Sequence, residues 1–172
     1  PSSSSLAGAE VELSNVVSRE TILKQRLSSI MHLYDFIIID CAPSLGLLTL
    51  NAFSFSTKLL IPVQCEYFAL EGLAKLTNTV QLIKERLNPN LRILGILLTM
   101  FDKRTSLNRQ VVNDAKKYFD QLIFDTIIPR NIRLAEAPSF GLPIALYEPT
   151  SSGSIAYYNL AKEVLERANN TN

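Results

Sequence analysis

The stretch Phe36-Ile37-Ile38-Ile39-Asp40-Cys41-Ala42-Pro43-Ser44-Leu45-Gly46 decides how the rest of the chain is read. Four apolar residues run without alternation into an aspartate, followed by a Pro-Ser-Leu-Gly turn and a helix-like segment. Such a run predicts a strand buried on both faces, as in a parallel sheet. Asp40 then stands at the carboxyl end of the strand, where open α/β sheets place their ligand crevice. A buried charge there asks for a partner, a metal or a hydrogen-bond network. The plainer reading is an aspartate that caps the next turn or helix. The bare pattern leaves both open.

Working outward, residues 6–30 read as helical with a break near Ser18, which is placed to cap a helix burying Ile22, Leu23, Leu27 and Ile30. Further helices are expected over 45–55, 70–87, 107–121 and 154–168. Strands are expected over 36–40, 58–63, 93–99, 123–128 and 144–147. On the helix over 70–87, Leu73, Leu76, Val80, Ile83 and Leu87 make one apolar face, and Asn88-Pro89-Asn90 ends it. Strands alternating with helices in this way predict an α/β fold, a mainly parallel sheet flanked by helices. No internal repeat or linker divides the chain, so a single domain is expected. Residues 1–5 and 169–172, rich in Ser and Asn, read as flexible ends.

Composition narrows the function. The 172 residues are 47% apolar and 19% charged, an ordinary balance for a soluble globular domain. A net charge of +1 gives no global case for nucleic-acid binding, so any such activity must come from a local patch. Cys41 and Cys65 match no metal spacing and read as reduced thiols of a cytoplasmic protein. No apolar run approaches the roughly 18 residues of a membrane span, and no signal peptide opens the chain, so no membrane partner is expected.

Within these residues there is no G-x-x-x-x-G-K-[ST], no G-x-G-x-x-G and no G-x-S-x-G. His32 is the only histidine and reads as a loop residue, which argues against a Ser-His-Asp hydrolase. What remains are polar segments after the expected strands: Asp40 with Pro43-Ser44-Leu45-Gly46, then Gln64-Cys65-Glu66-Tyr67. Thr99-Met100-Phe101-Asp102-Lys103-Arg104-Thr105 and Pro129-Arg130-Asn131 follow later strands. A parallel sheet brings such segments to one edge. Singly each is an ordinary loop; together they mark a candidate site.

Several strings make the chain similar to a known family. Leu6-Ala7-Gly8-Ala9-Glu10 and Tyr34-Asp35-Phe36-Ile37-Ile38-Ile39-Asp40-Cys41-Ala42-Pro43-Ser44-Leu45-Gly46 resemble the ParA/Soj family, the deviant Walker ATPases that segregate bacterial chromosomes and plasmids. So do Pro62-Val63-Gln64-Cys65-Glu66-Tyr67-Phe68-Ala69-Leu70-Glu71-Gly72, Leu98-Thr99-Met100-Phe101-Asp102-Lys103-Arg104-Thr105 and Ile128-Pro129-Arg130-Asn131-Ile132-Arg133-Leu134-Ala135-Glu136-Ala137-Pro138-Ser139. The resemblance runs from about residue 6 to 167. Ala42 departs from it where the family commonly has a proline. The lysine-rich P-loop, its magnesium-binding threonine and the next strand have no counterpart, so the chain looks like the C-terminal two-thirds of such an ATPase.

The resemblance implies a P-loop NTPase fold missing its first strands, ATP and Mg²⁺ as cofactors, and roles for particular residues. Asp40 would be the Walker B aspartate holding Mg²⁺ through water, with Pro43, Ser44 and Gly46 in the adjoining switch. Pro129 and Asn131 would lie beside the adenine base, with Met100 and Asp102 as further pocket residues. For Pro129 an ordinary loop proline is the competing reading. Arg104 and Arg133 match arginines that bind DNA without sequence preference in the ATP-bound homodimer. Lys103, Arg109, Lys116, Lys117 and Arg130 would widen that patch, although Lys116 and Lys117 also read as a solvated helix face. Glu66, Glu71 and Gly72 fall in a region resembling the nucleotide-sandwich dimer interface. A ParB-like centromere-binding partner would stimulate hydrolysis, and the protein would be cytoplasmic and nucleoid-associated. Lacking the P-loop lysine, the chain by itself is expected not to hydrolyse ATP.

Three rival readings remain. One is a non-catalytic ParA-like remnant that binds DNA or dimerises. Another is a MinD-like ATPase, against which the short, polar C-terminal segment offers no convincing membrane anchor. The third, a receiver-like domain with Asp40 as phosphoacceptor, lacks the acidic pair expected after its first strand.

Overall fold

The computed structural model describes residues 6–170; of the expected flexible ends at 1–5 and 169–172, residues 1–5, 171 and 172 lie outside them, while Asn169 ends a helix. The described residues form two compact units, one running to Thr57 with Val80–Arg92, the other comprising Lys58–Thr79 and the residues from Ile93 onward.

In the first unit, helices α1 (Leu6–Leu13), α2 (Ile22–Leu27) and α3 (Leu47–Phe55) surround the expected break at Ser18. Ser18 takes φ 56° and does not cap with its side chain, so it turns the chain by backbone conformation instead. Asn51, buried on α3, ties the unit together. Its Oδ1 accepts from Leu23 N at 3.0 Å, while its Nδ2 donates to the carbonyls of Arg19 (2.8 Å) and Leu47 (3.0 Å). Asn88 works likewise, its Nδ2 donating to the carbonyls of Phe53 (2.8 Å) and Ser56 (2.7 Å) at the end of α3. Both satisfy backbone groups that a helix end or a turn would leave unpaired.

The expected strand over 36–40 is not there. Residues 36–40 have no strand pairing, and Ile38 is 92% exposed. A strand exists only against a neighbour, and among the described residues none lies alongside this one.

The second unit carries the sheet. Strands β1 (Lys58–Gln64) and β2 (Arg92–Thr99) pair, and Cys65 N donates to Thr99 O at 3.0 Å just past their ends. Residues 123–129 run parallel along the other side of β2, bridging at Ile96–Ile123 and Phe101–Pro129. The expected strand over 123–128 is thus present in position, though it pairs only at these isolated bridges. Helix α4 (Ala69–Arg86) crosses from β1 to β2, and α5 (Ser106–Phe119) leads from β2 to the third segment.

Both faces of this sheet are covered. Ile61, Val63, Ile96, Leu98 and Ile123 pack with Leu73 of α4 and with Val111 and Ala115 of α5. On the opposite face Leu97, Phe124 and Ile128 pack with Leu160 of α8 (Ser152–Asn169). Double burial explains why β2 reads as a continuous apolar run. Gly95 has no side chain because a Cβ there would stand 2.5 Å from the Phe124 ring.

Two short helices precede α8: α6 (Ile132–Glu136) and α7 (Ile144–Tyr147). The expected strand over 144–147 is therefore a helical turn. Pro143 presets the entry, its carbonyl accepts from Leu146 N (2.9 Å) and Tyr147 N (3.0 Å), and no strand lies beside it. Helix α8 also runs further than expected, through Asn169.

Candidate functional site

The loops at the carboxyl ends of β1, β2 and segment 123–129 hold most of the candidate residues. Thr99 closes β2 with its hydroxyl donating to Val63 O at 3.3 Å. Met100 then takes φ 55°, a left-handed conformation uncommon outside glycine. That reversal returns Phe101 to the third segment: Phe101 N donates to Ile128 O (3.1 Å) and Arg130 N to Phe101 O (2.9 Å). Met100 and Asp102 are thereby set beside Pro129 and Arg130.

Asp102 is the best-held residue of this cluster. Its backbone N–H donates to Asn108 Oδ1 at 2.7 Å, and Asn108 Nδ2 donates to Cys65 O at 2.6 Å, joining the loops after β1 and β2. Its carboxylate accepts from Arg104 three ways: from the backbone N at 3.0 Å, from Nε at 3.0 and 3.3 Å, and from Nη2 at 2.7 Å. Hydrogen bonds from the Arg104 side chain and then its backbone hold the Asp102 carboxyl well below the usual carboxylate range. The same contact raises Arg104, whose side chain remains 84% exposed against 19% for Asp102. Arg109 Nη1 donates to Lys103 O at 2.7 Å, which gathers a third cation at the start of α5. Cys65, fully buried beneath this layer, has its thiol pushed up to about 11 by burial and is chemically quiet.

Asn131 caps α6: its Oδ1 accepts from Arg133 N at 2.8 Å, and its Nδ2 donates to Ser152 Oγ at 2.8 Å. Arg133 points back to Glu136, with Nη1 to Oε2 at 2.9 Å, and the Tyr147 hydroxyl donates to that same oxygen at 3.2 Å. Tyr147 in turn stacks on Phe140, ring centres 4.9 Å apart. Of the candidate arginines, Arg104 stands on the loop after β2 and Arg133 in α6, and each is already paired with a carboxylate.

Asp40, Pro43, Ser44 and Gly46 belong to the first unit. Asp40 is exposed on unpaired backbone. Gly46 precedes α3, and Thr49 of that helix donates its hydroxyl to Ser44 O at 2.6 Å. Glu10 of α1 reaches the same turn: its Oε1 accepts from Leu48 N at 3.3 Å and lies 2.3 Å from where a Cβ on Gly46 would sit. A side chain at position 46 would displace the exposed Glu10 carboxylate from this contact. In the dimer-interface candidates, Glu71 pairs with Lys75 at 2.7 Å and is lowered by it, beside exposed Tyr67 and Phe68.

Sequence reasoning did not single out Asn108, and it quoted Glu10 without giving it a role. The only signals were an amide in the first turn of α5 and a carboxylate inside a recognisable helix.

The donor set fits part of a magnesium-nucleotide site and not the whole. Among the described residues no three His, Cys, Asp or Glu side chains gather to hold a metal. Asn131 already has both ends of its amide engaged, and no glycine-lysine loop occurs in the sequence to cradle phosphates.

Comparison with known proteins places this geometry. A family profile described as an AAA domain matches residues 1–93. The sporulation initiation inhibitor protein Soj of Bacillus subtilis is 56% identical over 164 residues, covering 95% of this chain and 65% of that protein. The chromosome partitioning protein ParA of Myxococcus xanthus is 52% identical over 167 residues, covering 97% of this chain and 59% of its own length. Among solved structures, the cobyrinic acid a,c-diamide synthase of Mycobacterium smegmatis with bound ADP and magnesium superposes with a TM-score of 0.79. It is 33% identical, with 98% of this chain and 62% of that one covered. The chain thus spans about three-fifths of the length of these proteins.

Proposed function

The chain belongs to the ParA/Soj family of partitioning ATPases, and on that premise we propose that it serves chromosome or plasmid segregation as a nucleotide-dependent, DNA-binding dimer. Residues 6–167 make up one ParA-like domain in this reading. Asp40 supplies the water-mediated contact to Mg²⁺, and residues 43–46 form the switch that follows it. Pro129, Asn131, Met100 and Asp102 line the base side of the ATP site. Arg104 and Arg133 bind DNA phosphates without sequence preference, and Glu66, Glu71 and Gly72 face the second copy. In an ATPase of this family that carries the phosphate cradle, a ParB-like protein stimulates turnover, in a cytoplasmic, nucleoid-associated setting. Among the described residues no helix is long and apolar enough to cross a membrane.

The observation that carries this reading is the pair of exposed arginines: Arg104 on the loop after β2, and Arg133 in α6, which follows the parallel segment 123–129. Guanidinium-phosphate contacts need no base readout and are sensitive to salt, as sequence-independent binding requires. Binding of random-sequence duplex by the 172-residue chain, followed by fluorescence anisotropy at low salt, tests it. Arg104→Ala and Arg133→Ala should each weaken binding several-fold and equally on unrelated sequences. Unchanged binding in both variants would remove the DNA assignment. In a phosphate-release assay the 172-residue chain should show no turnover, because it lacks a phosphate cradle.

A further inference from the structure

We propose that Asp102 and Glu136 mask the arginines they pair with, occupying the guanidinium edges that DNA phosphate would otherwise take. The proposal rests on the DNA-binding reading above and adds what sets its strength.

A guanidinium presents a planar fork that fits carboxylate and phosphate alike. In Arg104 that fork is filled: Nε and Nη2 both donate to the Asp102 carboxylate, at 3.0 and 2.7 Å. A phosphate bound through the same edge must displace Asp102. While the pair holds, its net charge is zero, so little counterion is released when DNA approaches. The two partners are unequally anchored. Asp102 is also fixed by the Arg104 backbone N–H at 3.0 Å and sits in a loop pinned by Asn108, whereas the Arg104 side chain lies almost wholly in solvent. The arginine is the partner that moves, and binding is an exchange of one anion for another.

Arg133 repeats the arrangement on a different element. Glu136, three residues along α6, takes its Nη1 at 2.9 Å and is held in turn by the Tyr147 hydroxyl at 3.2 Å. Two arginines on separate elements, each with a carboxylate partner within three residues, make the masking a property of the surface rather than of one side chain.

Asp102→Asn and Glu136→Gln remove the charge and keep an oxygen for the local hydrogen bonds. Duplex binding by the 172-residue chain would be measured between 0.05 and 1 M salt for the parent, both variants, Arg104→Ala and Arg133→Ala, with melting curves to confirm folding. Each unmasked arginine should steepen the slope of log K against log salt by about 0.9, which makes binding about eightfold tighter at 0.1 M than at 1 M relative to the parent. If Arg104→Ala or Arg133→Ala weakens the parent but both folded mask variants bind no more tightly, the masking is wrong and the DNA reading stands. If neither Arg104→Ala nor Arg133→Ala changes binding, or no variant binds at the lowest salt, both fall.

Discussion

Glu163 and Arg167 show how single side chains on α8 fasten a sheet segment that has few backbone bonds of its own. Arg167 donates from Nη2 to Ile123 O at 2.7 Å and from Nη1 to Gln121 O at 3.2 Å, and lies 4.3 Å over the Phe124 ring. Glu163 accepts from the backbone N–H groups of Asp125 (2.8 Å) and Thr126 (2.9 Å) and pairs with Arg167 at 2.9 Å. Burial by itself would raise the Glu163 carboxyl. The Thr126 and Asp125 N–H groups and then Arg167 outweigh it, so the group ends below its ordinary 4.5. The unfolded chain therefore binds this proton more readily than the folded one. The stabilisation is complete above pH 4.5 and is lost as pH falls through the lower folded value. Glu163→Gln should cost about 1–3 kcal/mol at pH 7, and the gap from the parent should close on acidification below that value. Melting temperatures at pH 7 and pH 3 check both parts. A gap that is constant with pH would mean the carboxylate charge has no role.

Helices α4 and α5 and strands β1 and β2 were legible because local signals agree there with the tertiary fate of each segment. The apolar face of α4 lands in cores at Leu73, Val80 and Ile83, and the run in β2 is covered on both sides. The same kind of run at residues 36–39 failed as a prediction, since periodicity reports what a segment needs and not whether a neighbour supplies it. Residues 144–147 failed for the converse reason: four apolar-rich positions after a proline satisfy their bonds locally as a helical turn. At the candidate site, the charged and special residues were readable from distinctive strings. Asn108 and Glu10 were not, because a hydrogen-bond partner from a distant segment leaves no local pattern. The exposed 36–39 segment has its own consequence. Phe36 and Ile38 present apolar side chains next to unpaired backbone, a template for strand addition. Purified chain should self-associate with rising concentration, and Ile38→Lys should reduce this at unchanged helix content, as read by sedimentation velocity. A monomeric parent would show that the segment is shielded in solution.

For the molecule as a whole, a net charge of +1 from 17 basic and 16 acidic residues leaves almost no long-range attraction for DNA. Under the proposed DNA-binding reading, a phosphate polymer is gripped by a few local contacts, and two arginines per chain are the candidates. Counterion release converts that into a number. Two neutralised phosphates give a slope of log K against log salt of about −1.8 for one chain, and a dimer engaging both copies gives about −3.6. The intramolecular carboxylates can only make these slopes shallower, since a masked arginine releases less. A titration of random duplex across 0.05–0.5 M salt, at concentrations where sedimentation shows a single species, measures the slope directly. A value near −1.8 or shallower for the monomer would confine binding to Arg104 and Arg133. A monomer slope clearly steeper than about −1.8 would require Lys103, Arg109 and Arg130 to share the load. Arg109, tethered to the Lys103 carbonyl beside Arg104, would then be the first side chain to remove.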